Sequence, residues 1–262
     1  MIHARSLTEI ANSCGTDKGT LGPSAGYGGH NYTDIYEAYL GRDRYSPITI
    51  LEIGIGTKGA KWDARIVHGR NSRGGASVRM WYEYFPNGRI LAIDVNPAKY
   101  LDNDRIRTFE VNQGDKDELA SFLSKIGETR FDYVIDDGSH CPDHQQIALS
   151  VLFPSLKPGG YYFIEDLDDN GLGDPLVGRA KSDDVLSTRK VLRSFATTRK
   201  FAEPNRLQNV AFLMGDIHSI AFHAPIERFS PSAILNWFVG KRGVFVQYAA
   251  GTERLCAIRK TG

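Results

Sequence analysis

At 262 residues, 41% of them hydrophobic and 24% charged, the chain is long enough to bury one large core and has the composition of a globular domain. Thirty-two basic residues against 31 acidic leave a net charge of +1, which excludes a nucleic acid or an acidic membrane as a partner held by bulk electrostatics. Three scattered cysteines (Cys14, Cys141 and Cys256) exclude a disulfide framework or zinc ribbon, and with no apolar leader segment and no 18-residue apolar run the expectation is a soluble, cytoplasmic protein that does not insert in a membrane.

In chain order, residues 5–13 read as a short helix. A glycine-rich stretch follows, CGTDKGTLGPSAGYGGHNY (14–32), leading into a helix over 33–40 with Thr33 as its N-cap. Asp17, Lys18, His30 and Tyr32 make this stretch too polar for a plain spacer, and it reads as a lid that contributes ligand contacts. PITILEIGIG (47–56) is a continuous apolar run, as expected of a central parallel strand covered on both faces. It ends in Glu52-x-Gly54-x-Gly56, where glycine lets a ligand approach the backbone closely.

Residues 57–75 exceed the about 2–6 residues of an ordinary strand-to-helix loop and read as a functional insertion. A helix over 76–85 stops at Pro86-Asn87-Gly88, and a strand over 89–94 ends in Asp94. An acid there is placed to accept hydrogen bonds from ribose hydroxyls, with a helix N-cap as the alternative. A strand over 107–111 runs into Asn112-Gln113-Gly114-Asp115, then a helix over 116–126 carries a core stripe of Leu119, Phe122, Leu123 and Ile126. Strands over 132–135 and 161–164 flank a helix at 142–153. The tail predicts a basic amphipathic helix over 185–201, its Lys and Arg residues a solvated face, and two late strands, 216–224 and 254–259, forming an antiparallel hairpin on the sheet edge. Alternating strands and helices predict an α/β, doubly wound, mostly parallel seven-stranded sheet. One domain spans 1–262, with an N-terminal arm (1–45), a core (46–170) and an acceptor or lid segment with the terminal strands (171–262).

The chemistry concentrates in FDYVIDDGSHCPDHQQIALSVLFPSLKPGGYYFIED (131–166). One strand finishes in Asp136-Asp137 and the other in Glu165-Asp166, and strand C-termini open into the binding crevice of a parallel sheet. As neighbours, these strands would bring carboxylates and His140 to one mouth, a donor set suited to a hard divalent cation such as Mg²⁺. His140 lies three residues after Asp137, and His144 follows on the helix, so either is placed to act as a base, with His140 favoured by reach. Asp136 reads as a strand-end acid supporting the site.

LEIGIG, a strand ending in Asp94, NQGD, DDGSH and PGGYYFIED, in that order, resemble the class I S-adenosylmethionine-dependent methyltransferases. GTDK, HNYTDIYE, GGASVRMW and DDGSHCPDH narrow the resemblance to metal-dependent sugar O-methyltransferases of the macrocin and mycinamicin type, and to the methyltransferase that caps mycobacterial methylmannose polysaccharides. It covers residues 14–166 well and the tail loosely. The resemblance implies a Rossmann-like fold, S-adenosyl-L-methionine and Mg²⁺ as cofactors and a sugar-containing acceptor; a homodimer is expected separately, because a partner chain would order segments 57–75 and 171–210. It places Glu52, Gly54 and Gly56 along the methionine part of the donor, Asp94 at the ribose, and Gln113, Gly114 and Asp115 at the adenine edge. Thr16, Asp17, Lys18, Tyr32, Ser77 and Asp136 border the donor. Asp137, Glu165 and Asp166 hold the metal, and His140, or else His144, takes the proton. The rival readings are an acceptor hydroxyl on a catechol or antibiotic nucleus, and a catalytically silent cofactor-binding protein.

Overall fold

The computed structural model describes residues 4–21, 29–57, 73–167, 184–224 and 253–262. Its centre is β1 (Thr49–Ile53), whose apolar run is buried on both faces, paired in parallel with β2 (Arg89–Asp94) and β4 (Phe131–Asp136). Outward from these, β2 pairs β3 (Ile106–Glu110) and β4 pairs β5 (Leu156–Ile164), both in parallel. β7 (Leu255–Lys260) lies antiparallel between β5 and β6 (Ile217–His223), giving the order β3-β2-β1-β4-β5-β7-β6. The two late strands do pair with each other, but the last is inserted beside β5, so β6 alone forms that edge.

Alternation along the strands builds two cores. Ile50, Ile90, Ile135 and Phe163 face a layer of α1 (Leu7–Cys14), α2 (Thr33–Leu40) and α3 (Ala76–Tyr84). Leu51, Ile53, Val134 and Ile164 face α4 (Lys116–Ile126), α5 (Pro142–Leu152), α6 (Thr188–Thr198) and the short α7 (Val210–Asp216). Period-2 side-chain placement therefore decides which strand-end acids share a face.

Several local expectations change. α2 begins at Thr33 but its N-cap is Tyr32 and carries no side-chain cap, because the Thr33 hydroxyl is bonded to Thr8 at 2.8 Å. β5 starts at Leu156 and runs through Pro158-Gly159-Gly160, with Gly159 at φ +76°. On α6, Arg189 is not part of the solvated face: it is buried and donates to the Leu167 carbonyl at 2.7 Å. α7 had no counterpart in the expected elements. Residues 58–72 of the long loop, and 168–183 and 225–252 of the expected acceptor or lid segment, lie outside the described residues.

Candidate active site

β1, β4 and β5 are adjacent, so their C-terminal ends form one rim. Glu52, next after Leu51, points to the opposite, α1–α3 face, and Asp137 and Glu165 join it there. Asp136 turns to the opposite face, where it is fully buried and accepts from Gln113 Nε2 at 2.9 Å and from the Tyr162 hydroxyl at 3.3 Å. Burial pushes its carboxyl up to about 6 against the pull of the Gln113 and Gly138 hydrogen bonds. Gln113 in turn accepts from the Ser139 amide at 2.7 Å, so both ends of its side chain fix the turn after β4.

The N-terminal arm reaches this rim by pairing with itself. His30 N donates to the Asp17 carbonyl at 2.6 Å, Asn31 N to Gly19 at 3.0 Å and Thr33 N to Lys18 at 3.1 Å. Lys18 is thereby delivered into the interior, 1% exposed, with Nζ 2.5 Å from Asp137 Oδ2 and 2.8 Å from each Glu165 oxygen. Glu52 Oε1 lies 3.8 Å from the same ammonium. Burial alone would depress the lysine, but Asp137, Glu165 and Glu52 outweigh it and hold its pKa well above the usual range. The Tyr36 hydroxyl also donates to Glu165, and burial with the Asp137 charge raises the Glu165 carboxyl well above its ordinary value.

A second group sits outside this buried one. Asp137, His140 and Asp166 each offer a ligand atom, and those atoms lie within 4.8 Å of one another. His140 Nε2 is 4.0 Å from both Asp137 Oδ1 and Asp166 Oδ2. His140 (φ +54°) and Asp166 (φ +50°) both occupy the left-handed region, and His140 Nδ1 is buried without a hydrogen-bond partner among the described residues. Backbone strain and an orphaned ring nitrogen at one residue are costs that packing does not explain and that cluster at functional sites. Asp166 Oδ1 accepts from the Tyr32 hydroxyl at 2.6 Å and from Arg254 at 2.5 Å, with His30 Nδ1 at 3.8 Å. Burial would raise the Asp166 carboxyl, but His30, Arg254 and His140 outweigh it and hold it below the ordinary carboxylate range.

The side expected to hold a donor is built differently. A Cβ on Gly54 (φ +76°) would stand 2.4 Å from the Asp137 carbonyl, so glycine is required there by backbone packing. Among the described residues a Cβ on Gly56 (φ +62°) would meet nothing within 4 Å, which leaves open space at the end of β1. Beside it neither carboxylate oxygen of Glu52 makes a hydrogen bond among the described residues. Burial pushes Glu52 up to about 7, against Lys18 and the neighbouring Ser77 and Trp81 side chains. Asp94 accepts from Ile55 N at 3.0 Å, Thr57 Oγ1 at 2.6 Å and Asn96 N at 2.9 Å, which organises the glycine turn.

Other residues expected around the donor have structural duties. Asp115 caps α4 through the Asp117 and Glu118 amides. Thr16 is buried and hydrogen-bonded to the arm through Ala11. Lys18 and Tyr32 aim at the acids, and Asp17 contributes its carbonyl to the arm. His144 lies with Ser139, its Nδ1 2.9 Å from Ser139 Oγ, and its ring fills the space where Gly114 lacks a side chain. It is therefore held over the Gln113–Gly114 turn while His140 is held over the acids. Tyr36 and Arg254 join the acid rim although no role was expected of them, and His30, expected only as a ligand contact of the polar lid, lies there too. Tyr36 was readable as the residue one turn after Tyr32 on α2, whereas Arg254 carries no local signal at all.

No family model matches the chain. Over 140 residues, 53% of this chain, it is 43% identical to the 8-demethyl-8-(2-methoxy-alpha-L-rhamnosyl)-tetracenomycin-C 3'-O-methyltransferase of Streptomyces olivaceus. Over 139 residues it is 37% identical to the mycinamicin VI 2''-O-methyltransferase of Micromonospora griseorubida. In sequence the chain resembles sugar O-methyltransferases. The match spans only 32% of the length of each of those two curated relatives. Among solved structures, the MycE methyltransferase of the mycinamycin pathway, determined with Mg, SAH and mycinamycin VI, aligns with 99% of this chain and 55% of its own. The TM-score is 0.66 at 24% identity, which establishes a shared Rossmann-like methyltransferase fold.

Proposed function

We propose that this protein is an S-adenosyl-L-methionine- and Mg²⁺-dependent O-methyltransferase acting on a sugar hydroxyl of a glycoside or oligosaccharide. The observation that carries the reading is the convergence of Asp137, Asp166 and His140 within 4.8 Å, on a methyltransferase fold. The residues fit both cofactors. Among the described residues Gly56 leaves space at the end of β1, and the Glu52 carboxylate makes no hydrogen bond, so an amino group of a donor would find an acceptor there. Asp137 and Asp166 each turn one oxygen towards His140, a hard donor set suited to Mg²⁺. Glu165 lies behind them with both oxygens on Lys18, and reaches an ion only by giving up part of that hold.

S-adenosyl-L-methionine supplies an electrophilic methyl group on a sulfonium. A divalent cation at the acids supplies Lewis acidity, which lowers the pKa of a coordinated hydroxyl from the region of about 16. The chain's own residues do the rest. The acid rim orients the acceptor oxygen, and His140 receives its proton at Nε2 as the oxygen takes the methyl group. The imidazolium so formed lies 4.0 Å from carboxylate oxygens of Asp137 and Asp166, which stabilise it. Tyr32 and Arg254 hold Asp166 from the far side and keep it ionised.

The relatives named for methylation of rhamnosyl tetracenomycin and mycinamicin support a sugar acceptor. We place deoxysugar glycosides first and methylmannosides, as in polysaccharide biosynthesis, second, with the enzyme working as a homodimer. The test is methyl transfer to a panel of rhamnosides, macrolide glycosides, methylmannosides and catechols, followed by mass spectrometry with and without EDTA. Metal-dependent methylation of a sugar is the expected result. Transfer to catechols alone, or rates unchanged after verified metal removal, would contradict the reading.

A further inference from the structure

The buried lysine occupies two of the acids on which the proposed cation site draws. Its ammonium touches Asp137 through Oδ2 only, leaving Oδ1 to face His140, and it takes both oxygens of Glu165. Two arrangements are chemically open: the ammonium is a placeholder that a divalent cation expels, or it is a fixed counter-ion beneath the cation.

The structure favours the second. Lys18 is 1% exposed, and its backbone carbonyl is bonded to Thr33 N at the start of α2, inside the paired arm. It therefore cannot swing to solvent unless the arm lifts. Three carboxylates, Glu52, Asp137 and Glu165, surround Nζ, and no other acid forms an ion pair with it among the described residues. An expelled ammonium would be left buried without a partner, the costliest state for such a group.

We propose that Lys18 is a permanent counter-ion and positioning residue of the cation site, fixing Asp137 and Glu165 and limiting how tightly the cation is held. This rests on the cation reading given above. At an effective dielectric constant of about 20, a positive charge a few ångströms from a dication weakens its binding by more than about tenfold.

The experiment measures Mn²⁺ binding to the donor-free protein by electron paramagnetic resonance, together with acetylation of Lys18 read by peptide mass spectrometry. Lys18→Met should bind Mn²⁺ at least about tenfold more tightly than the wild type, and Lys18→Arg should stay near the wild-type affinity. In the wild type Lys18 should resist acetylation both without Mn²⁺ and at saturation. Unchanged or weaker binding by a folded Lys18→Met variant overturns the proposal, as does Lys18 becoming reactive when Mn²⁺ is added. Should Lys18→Met fail to fold, the wild-type labelling decides alone. A wild type that binds no Mn²⁺ overturns the cation reading and this inference together, whereas the other two results overturn only the inference.

Discussion

The two halves of the rim solve opposite problems. At the ends of β1, β2 and β3, polar groups are mostly spent on the backbone: Asp94 organises the glycine turn, Asp115 caps α4 and Gln113 braces the turn after β4. What remains for a ligand there, among the described residues, is space over Gly56 and Glu52 oxygens without a hydrogen bond. At the ends of β4 and β5, charge is concentrated and only partly neutralised, by Lys18 beneath and Arg254 beside. A site that must admit a large ligand is built by removing side chains. One that must activate a hydroxyl is built by crowding carboxylates that only further positive charge can relieve.

That contrast is broken first on the acid side. Asp166→Asn should lower kcat by about 10³–10⁴-fold, the several kcal/mol that a metal site contributes, while calorimetry shows donor binding within a factor of about three. Equal loss of donor affinity would show that the two halves are not separable. His140→Ala should cost about 10²–10⁴-fold in kcat, the range for a general base, again with donor binding kept.

The glycines sharpen the other side. Gly54→Ala forces a Cβ to within 2.4 Å of backbone and should destabilise the fold by about 3 kcal/mol or more. Gly56→Ala meets no atom of the described residues and should cost only the left-handed strain of about 1–2 kcal/mol, yet weaken donor binding at least about tenfold. Similar stability losses for both would mean that Gly56 is also a packing glycine.

The pH response of Glu52 is smaller and has a definite sign. Its carboxyl titrates near 7 in the fold against an ordinary 4.5, so the folded protein keeps the proton through that window while the unfolded chain releases it. Stability from this group therefore falls as pH rises from 4.5 to about 7. Relative to the wild type, the urea midpoint of Glu52→Gln should climb over that interval and then level off, whereas a constant difference would show that the group is not shifted. The smallest effect is expected for His144→Ala, within about tenfold in kcat, because its ring is engaged by Ser139 and packed over Gly114. A loss matching that of His140→Ala would reassign the base.

Most of the fold was legible because each strand announces itself locally: the apolar run at β1, the acid closing β2, the paired acids that follow β4 and β5. The order of the late strands was not, since inserting β7 between β5 and β6 depends on long-range pairing that no window of sequence records. The acids of the candidate site were visible as strand ends, and strand alternation, once β1, β4 and β5 are known to be neighbours, explains why Glu52, Asp137 and Glu165 share a face while Asp136 does not. Lys18 looked like a donor contact because a lysine on a polar glycine-rich stretch gives no hint of burial. Only the folded arm shows that its charge is consumed by acids more than a hundred positions away.

The most direct test of the account is an anomalous difference map from crystals grown with Mn²⁺. One peak between Asp137 Oδ1 and Asp166 Oδ2, next to His140 and with Lys18 still on Glu165, is the predicted result. A well-ordered rim with no peak, or a peak seated where the Lys18 ammonium lies, would contradict it.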